Sequence, residues 1–169
     1  MPEVRLRRAL RVPADSAAPA LAALLGSIAN QEGPWRGFAL HVSFGELRLP
    51  DVGYVAVPIR LTVHKTAGNA RTFDIAFTSA NLPAAFPGFD GSINVEPAAA
   101  MGESMLHLRG SYELPMQIFG RLLDAALTPG VAEKSLHNFL EEIGTACEAR
   151  VNEREAEFAR YRYYSHLLR

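Results

Sequence analysis

Apolar residues recur along this chain with two periods, and the point where one replaces the other organises the fold. Val4, Leu6, Leu10 and Val12 share one face and Arg5, Arg7, Ala9 and Arg11 the other, which predicts a first strand over 4–12. Leu21, Leu24, Leu25 and Ile28 then follow the i, i+3, i+4, i+7 spacing of an amphipathic helix, with Ser16 as its N-cap and Pro19 in its first turn. Alternation returns at Phe38, Leu40, Val42 and Phe44. It slips phase after Gly45, as a bulge would make it, and resumes over 55–63 and 73–77. PDVG and TAGNA supply turns between these runs. SANLPAAFPGFDG reads as a loop before a short strand at Ile93 and Val95, and a long final strand carries Leu106, Leu108, Tyr112 and Leu114.

Across Pro115 the period changes to 3.6. Ile118, Phe119, Leu122, Leu123, Ala126 and Leu127 make one stripe, TPG at 128–130 interrupts it, and Ala132, Leu136, Phe139, Leu140, Ile143, Cys147 and Val151 resume it. A helical unit this long must bury its stripe, and the sheet is the only sizeable apolar surface on offer. Short connections force antiparallel neighbours, and each strand has one apolar and one polar face. The expected class is α+β: a curved antiparallel sheet of six to seven strands wrapped around a long C-terminal helix, with a short helical segment after the first strand. Pro58, inside an otherwise strong strand, implies an edge or a bulge. Residues 1–169 read as one domain, in which 151–169 are either a helical extension suited to a homodimer or a frayed tail.

Composition narrows the function classes. With 49% hydrophobic and 21% charged residues the chain is an ordinary globular sequence, and a net charge of −1 gives no pull towards nucleic acid. The single cysteine, Cys147, excludes an internal disulfide and a multi-cysteine metal site. No run approaches the roughly 18 apolar residues of a membrane helix, and MPEVRLRRALRV lacks the apolar core of a secretory signal. A cytoplasmic protein with no integral membrane association is the expectation.

The segment GSYELPMQIFGRLLDAALTPGVAEKSLHNFLEEI places Gly110, Tyr112, Pro115, Gly120 and Asp124 where a strand, a proline and a glycine-containing short helix lead into a final helix. In this segment and in its order of elements the chain resembles the helix-grip fold of the START-like superfamily, which includes Bet v 1-like (SRPBCC) proteins and polyketide cyclases. The resemblance implies a small hydrophobic or amphipathic ligand held between sheet and helix, with no cofactor and no metal. It places Phe38, Leu40, Phe44, Val57, Ile59, Phe73, Phe77, Leu108 and Tyr112 on the concave face, roofed by Phe119, Leu123 and Phe139. The competing reading is that these side chains fill a core.

Polar candidates are few. Arg8 falls on the apolar face of the first strand. It is expected either to meet a ligand carboxylate or an internal partner, or to snorkel to water from near a strand end. Phe86 and Phe89, in a loop rich in proline and glycine, would gate the pocket mouth or plug it. His41 and His64 fall on polar strand faces that a hairpin could bring together, without further ligands for zinc. Two rivals remain: a cyclase or dehydratase using Arg8, Tyr112 and Asp124, and an interaction module acting through the tail and the 86–89 loop.

Overall fold

In a computed structural model of the protein, the residues described are 2–30, 39–43, 54–65, 70–80, 88–113 and 129–167. They form β1 (Glu3–Leu10), α1 (Ala14–Ala29), β2 (Ala39–Ser43), β3 (Tyr54–Lys65), β4 (Thr72–Ser79), β5 (Gly88–Pro97), β6 (Ser104–Glu113) and α2 (Pro129–Leu167). All neighbours in the sheet are antiparallel, and the order across it is β1-β6-β5-β4-β3-β2. Strands β2 to β6 are therefore a meander, and β1 closes beside the last strand as an exposed edge, where Arg5 and Arg7 guard it with charge.

Several sequence expectations need correction. The first strand ends at Leu10, two residues short of its expected limit. Helix α1 is capped at Pro13, whose carbonyl accepts the N–H groups of Ser16 at 3.0 Å and Ala17 at 2.9 Å, so Ser16 lies inside the first turn. Pro19 consequently sits in the second turn. The short strand at Ile93 and Val95 is the middle of the ten-residue β5, which takes in residues 88–91 from the presumed loop. Pro58 lies neither at an edge nor in a bulge. It falls one residue beyond the β3–β4 ladder, where its carbonyl still accepts Ala80 N–H at 2.8 Å and its missing donor withholds the return bond, so the ladder ends there. The phase slip at Gly45 and the helical stripe of 118–127 fall outside the described residues.

The long helix buries the stripe its period predicted: Leu136, Phe139, Leu140, Ile143, Cys147 and Val151. Each large member contributes roughly 1.5–3 kcal/mol by leaving water. Helix α2 packs on α1 and on both edge strands, β1 and β2. Its Phe139 also reaches Phe77 in the interior strand β4, ring centroids 5.1 Å apart. A flat sheet cannot touch one helix at both edges and in the middle, so this sheet curls.

Glycine permits the curl at one place. Gly91 and Gly110 are cross-strand partners in β5 and β6. A Cβ on Gly110 would lie 2.4 Å from the Asp90 carbonyl oxygen and 2.7 Å from both Gly91 Cα and the tip of the Phe89 ring. The strands therefore approach more closely here than any side chain allows, and Phe89 covers the gap along its own strand. No described helix is long and apolar enough to cross a membrane.

Two predictions follow from this packing. Replacing Gly110 by alanine should force β5 and β6 apart and cost about 2 kcal/mol or more, measured by urea unfolding. Cys147 is fully buried, its thiol 3.4 Å from the Ala17 carbonyl oxygen, and burial, helped by nearby Glu148, raises its pKa from 9.0 to about 11. Between those values the unfolded chain ionises while the folded one stays protonated, so unfolding releases a proton and stability falls as pH rises. Relative to Cys147→Ala, the wild type should lose up to about 2–3 kcal/mol between pH 8 and 11.5, and its thiol should resist maleimide at neutral pH until the protein unfolds.

Candidate functional site

Register sorts the inward-facing residues into rows across the sheet. One row reads Leu61, Phe77, Phe89, Tyr112; the next reads Val63, Ile75, Gly91, Gly110, Val4; a third reads Phe73, Ile93, Leu108, Leu6. The first row is the aromatic one. Phe77 and Phe89 stack at 5.1 Å with 21° between their planes, and Phe139 closes on Phe77 from the helix side. Of the expected pocket residues, Ile59, Phe73, Phe77 and Tyr112 all lie buried on this inner face. The structure gathers Phe77 and Tyr112 into one row, whereas Phe73 lies two rows away and Ile59 lies beyond the row on its other side. Phe38, Phe44, Phe119, Leu123 and Phe86 fall outside the described residues.

Phe89 is not a loop aromatic. It is a strand residue, 3% exposed, and its ring sits between Phe77 and the glycine pair. The cue was Phe89 itself, which keeps step with Ile93 and Val95 at period two across Asp90 and Gly91.

Tyr112 is buried, and its backbone N–H donates to the Pro2 carbonyl at 3.2 Å. Among the described residues its hydroxyl has no hydrogen-bond partner. It is the polar tip of the aromatic row. Strand β4 leads from this end of the sheet into residues 81–87, and β6 leads into 114–128.

Arg8 does something else. It neither snorkels from a strand end nor faces the aromatic row. Its Nε donates to Glu141 at 2.8 Å, and its Nη2 donates to Thr145 Oγ1 at 3.0 Å and to Glu148 at 3.1 Å. The other Glu148 oxygen accepts the Arg11 backbone N–H at 2.7 Å. Glu141, Thr145 and Glu148 share one face of α2, with Gly144 between them. Nη1 presses into the space that Gly144 leaves and has no hydrogen-bond partner. With its side chain 13% exposed, Arg8 is a clasp between the edge strand and the helix.

This placement separates residues that an enzyme of the cyclase kind would need together. Arg8 lies six residues along β1 from Pro2, the partner of Tyr112, so about 20 Å divides them. Asp124 is outside the described residues. The histidines part company too: His41 pairs with Ala56, eight residues along β3 from His64, or about 26 Å. His64 lies opposite Asp74, and His107 Nε2 is 3.4 Å from Glu96 on the polar side of the sheet. No cluster of three metal-ligating side chains occurs among the described residues.

The Arg8 clasp predicts an unusual substitution pattern. A Cβ on Gly144 would lie 1.8 Å from Arg8 Nη1, so Gly144→Ala should cost about 1–3 kcal/mol although alanine is the better helix former. Arg8→Ala should cost about 2–3 kcal/mol by leaving Glu141 and Glu148 without their cation. The double variant should be more stable than the sum of the two costs predicts, read from a double-mutant cycle in urea.

Comparison with known proteins supports the architecture. No family model matches the chain, and no curated protein matches it. Among solved structures, Ara h 8.0201 superposes with a TM-score of 0.53 at 11% identity, over 90% of this chain and 98% of the other. A Bacillus thuringiensis protein superposes with a TM-score of 0.51 at 12% identity, over 89% and 98%. A START superfamily protein from Mycobacterium smegmatis aligns over 89% and 97%, with a TM-score of 0.47 and 10% identity. Among the described residues, six antiparallel strands curl round a long C-terminal helix, with a helix after the first strand, and this is the helix-grip fold that the chain shares with Ara h 8.0201 and the Bacillus thuringiensis protein.

Proposed function

We propose that the protein binds a small hydrophobic or amphipathic ligand against the aromatic row, at the end of the sheet next to residues 81–87 and 114–128. One observation carries this reading. The inner face is apolar row upon row, and it ends in Phe77, Phe89 and Tyr112 with one unengaged hydroxyl among them. An apolar wall with a single polar anchor suits a ligand whose one polar group accepts or donates a hydrogen bond.

Simple binding fits better than chemical conversion. Acid–base chemistry on a bound ligand needs two polar groups converging on one reacting atom. Arg8 is committed to the helix and stands about 20 Å from Tyr112, so the pair cannot serve. Two hollows that open among the described residues are of another kind. One of about 530 Å³, lined by Arg60, Thr62, Thr78, Asp90 and Glu113 and reaching Phe77 and Phe89 at its floor, opens among the outward-facing residues of the sheet. Another, of about 490 Å³, lies between α1 and the far part of α2. Charged side chains rim both, Arg60, Asp90 and Glu113 in the first and Asp15, Arg150, Glu153 and Arg154 in the second, which suits an apolar ligand less well than the inner face does.

Native mass spectrometry of protein purified from its own host should show a small molecule in stoichiometric amount, recoverable by denaturing extraction. Tyr112→Phe should keep the fold and weaken that ligand by about three- to tenfold, the worth of one hydrogen bond. Protein that is bare, and that also fails to bind the hydrophobic probe 1-anilinonaphthalene-8-sulfonate, would overturn the reading.

A further inference from the structure

Helix α2 outruns the body it packs on. Val151 is buried, every residue from 152 to 160 is exposed, and the helix continues to Leu167. At 1.5 Å per residue, the exposed run 152–160 alone extends about 14 Å. The projection does not support itself. Arg150 and Arg154, and likewise Glu153 and Glu157, are like charges at i, i+4, a spacing at which they destabilise a helix. No ion pair joins Glu153, Glu155, Glu157 or Arg160 to another described residue. Helical segments of this length are marginal in water unless something packs against them.

The apolar seam continues onto this segment. Val151 and Phe158 are seven residues apart, with Arg154 and Tyr161 at the alternate positions of the same heptad seam. Phe158 is 57% exposed, with the Arg154 guanidinium 5.9 Å from its ring centroid. Beside it, Pro19, Ala20 and Ala23 of α1 and Val151, Arg154 and Phe158 of α2 enclose the open groove of about 490 Å³. The short side chains on the α1 wall let another helix come close.

The charges choose the occupant. Along the projection a net acidic stretch comes first, Glu153, Glu155 and Glu157 against Arg154 alone, and a basic one follows with Arg160 and Arg162. Two such segments laid antiparallel about a two-fold axis near Ala159 set each acidic stretch beside the other's basic stretch. The same register brings Phe158 of each copy to the level of Tyr161 of the other. A parallel pairing would oppose like with like. We infer that the projecting end of α2 is a homodimerisation helix, which pairs antiparallel with its counterpart in a second copy and lies in the groove beside α1.

Two variants test this without depending on the exact register. Glu155→Arg/Glu157→Arg makes the projection strongly net basic, with only Glu153 left acidic, and Arg160→Glu/Arg162→Glu makes it strongly net acidic, with only Arg154 left basic. In multi-angle light scattering the wild type should have the mass of a dimer, and each variant alone should dissociate about tenfold or more readily. An equimolar mixture of the two should recover the dimer mass as a heterodimer, with affinity falling as salt rises. Recovery on mixing cannot come from misfolded chains. A wild type that stays monomeric up to about 1 mM, or a mixture that stays monomeric, would overturn the inference.

Discussion

Burying one long helix against one sheet sets the terms for the rest of this molecule. The stripe from Leu136 to Val151 leaves water only if the sheet bends around it. The bend is concentrated where two strands meet without side chains, at Gly91 and Gly110. That close approach would leave a void beneath the helix, and Phe89 fills it from its own strand while stacking on Phe77. The aromatic row thus owes its position to a backbone device one row away. Curvature, core filling and the candidate ligand surface are three results of one steric choice.

A buried stripe fixes the helix's rotation far better than its position along its own axis, since Leu, Ile and Phe are interchangeable to within a turn. Arg8 supplies the missing coordinate. Glu141 and Glu148 are two turns apart and bracket the guanidinium, and Gly144 alone makes room for it. A slide of one turn would put a residue with a Cβ under Arg8 and leave a carboxylate unpaired beside the core. Charge pairs in such places are poor sources of net stability and better sources of specificity. The unpartnered Nη1 fits that account, because it gives up one hydrogen bond for a unique fit.

Much of this architecture is legible in the residues, and the gaps have physical causes. The α2 stripe and the β3 and β4 alternations are strong because each buries a whole face, so period alone reveals them. Strand β5 was foreshortened because Gly88, Gly91 and Ser92 dilute its pattern at the point where the strands approach most closely. Phe89 was hidden by the same glycines and by the proline before them. Arg8 was visible as an anomaly, but its partners lie 133 to 140 residues away, at a distance no local pattern encodes. The separation of His41 from His64 depends on register, which is set where β2 pairs with β3 and not by their shared polar faces.

The strand order has a consequence for how the chain reaches this state. Strand β1 is made before the other described strands and among them pairs only with β6, with Val4 opposite Gly110 more than a hundred residues later. Until β6 is synthesised, the apolar face of β1 has no sheet to join, and its Arg8 has no helix to grip until α2 follows. The meander β2 to β6 can assemble from neighbouring hairpins, whereas the seam between β1 and β6 must close a loop spanning most of the chain. Slow maturation should therefore reside in this seam, which places β1, though made early, among the last pieces to become native.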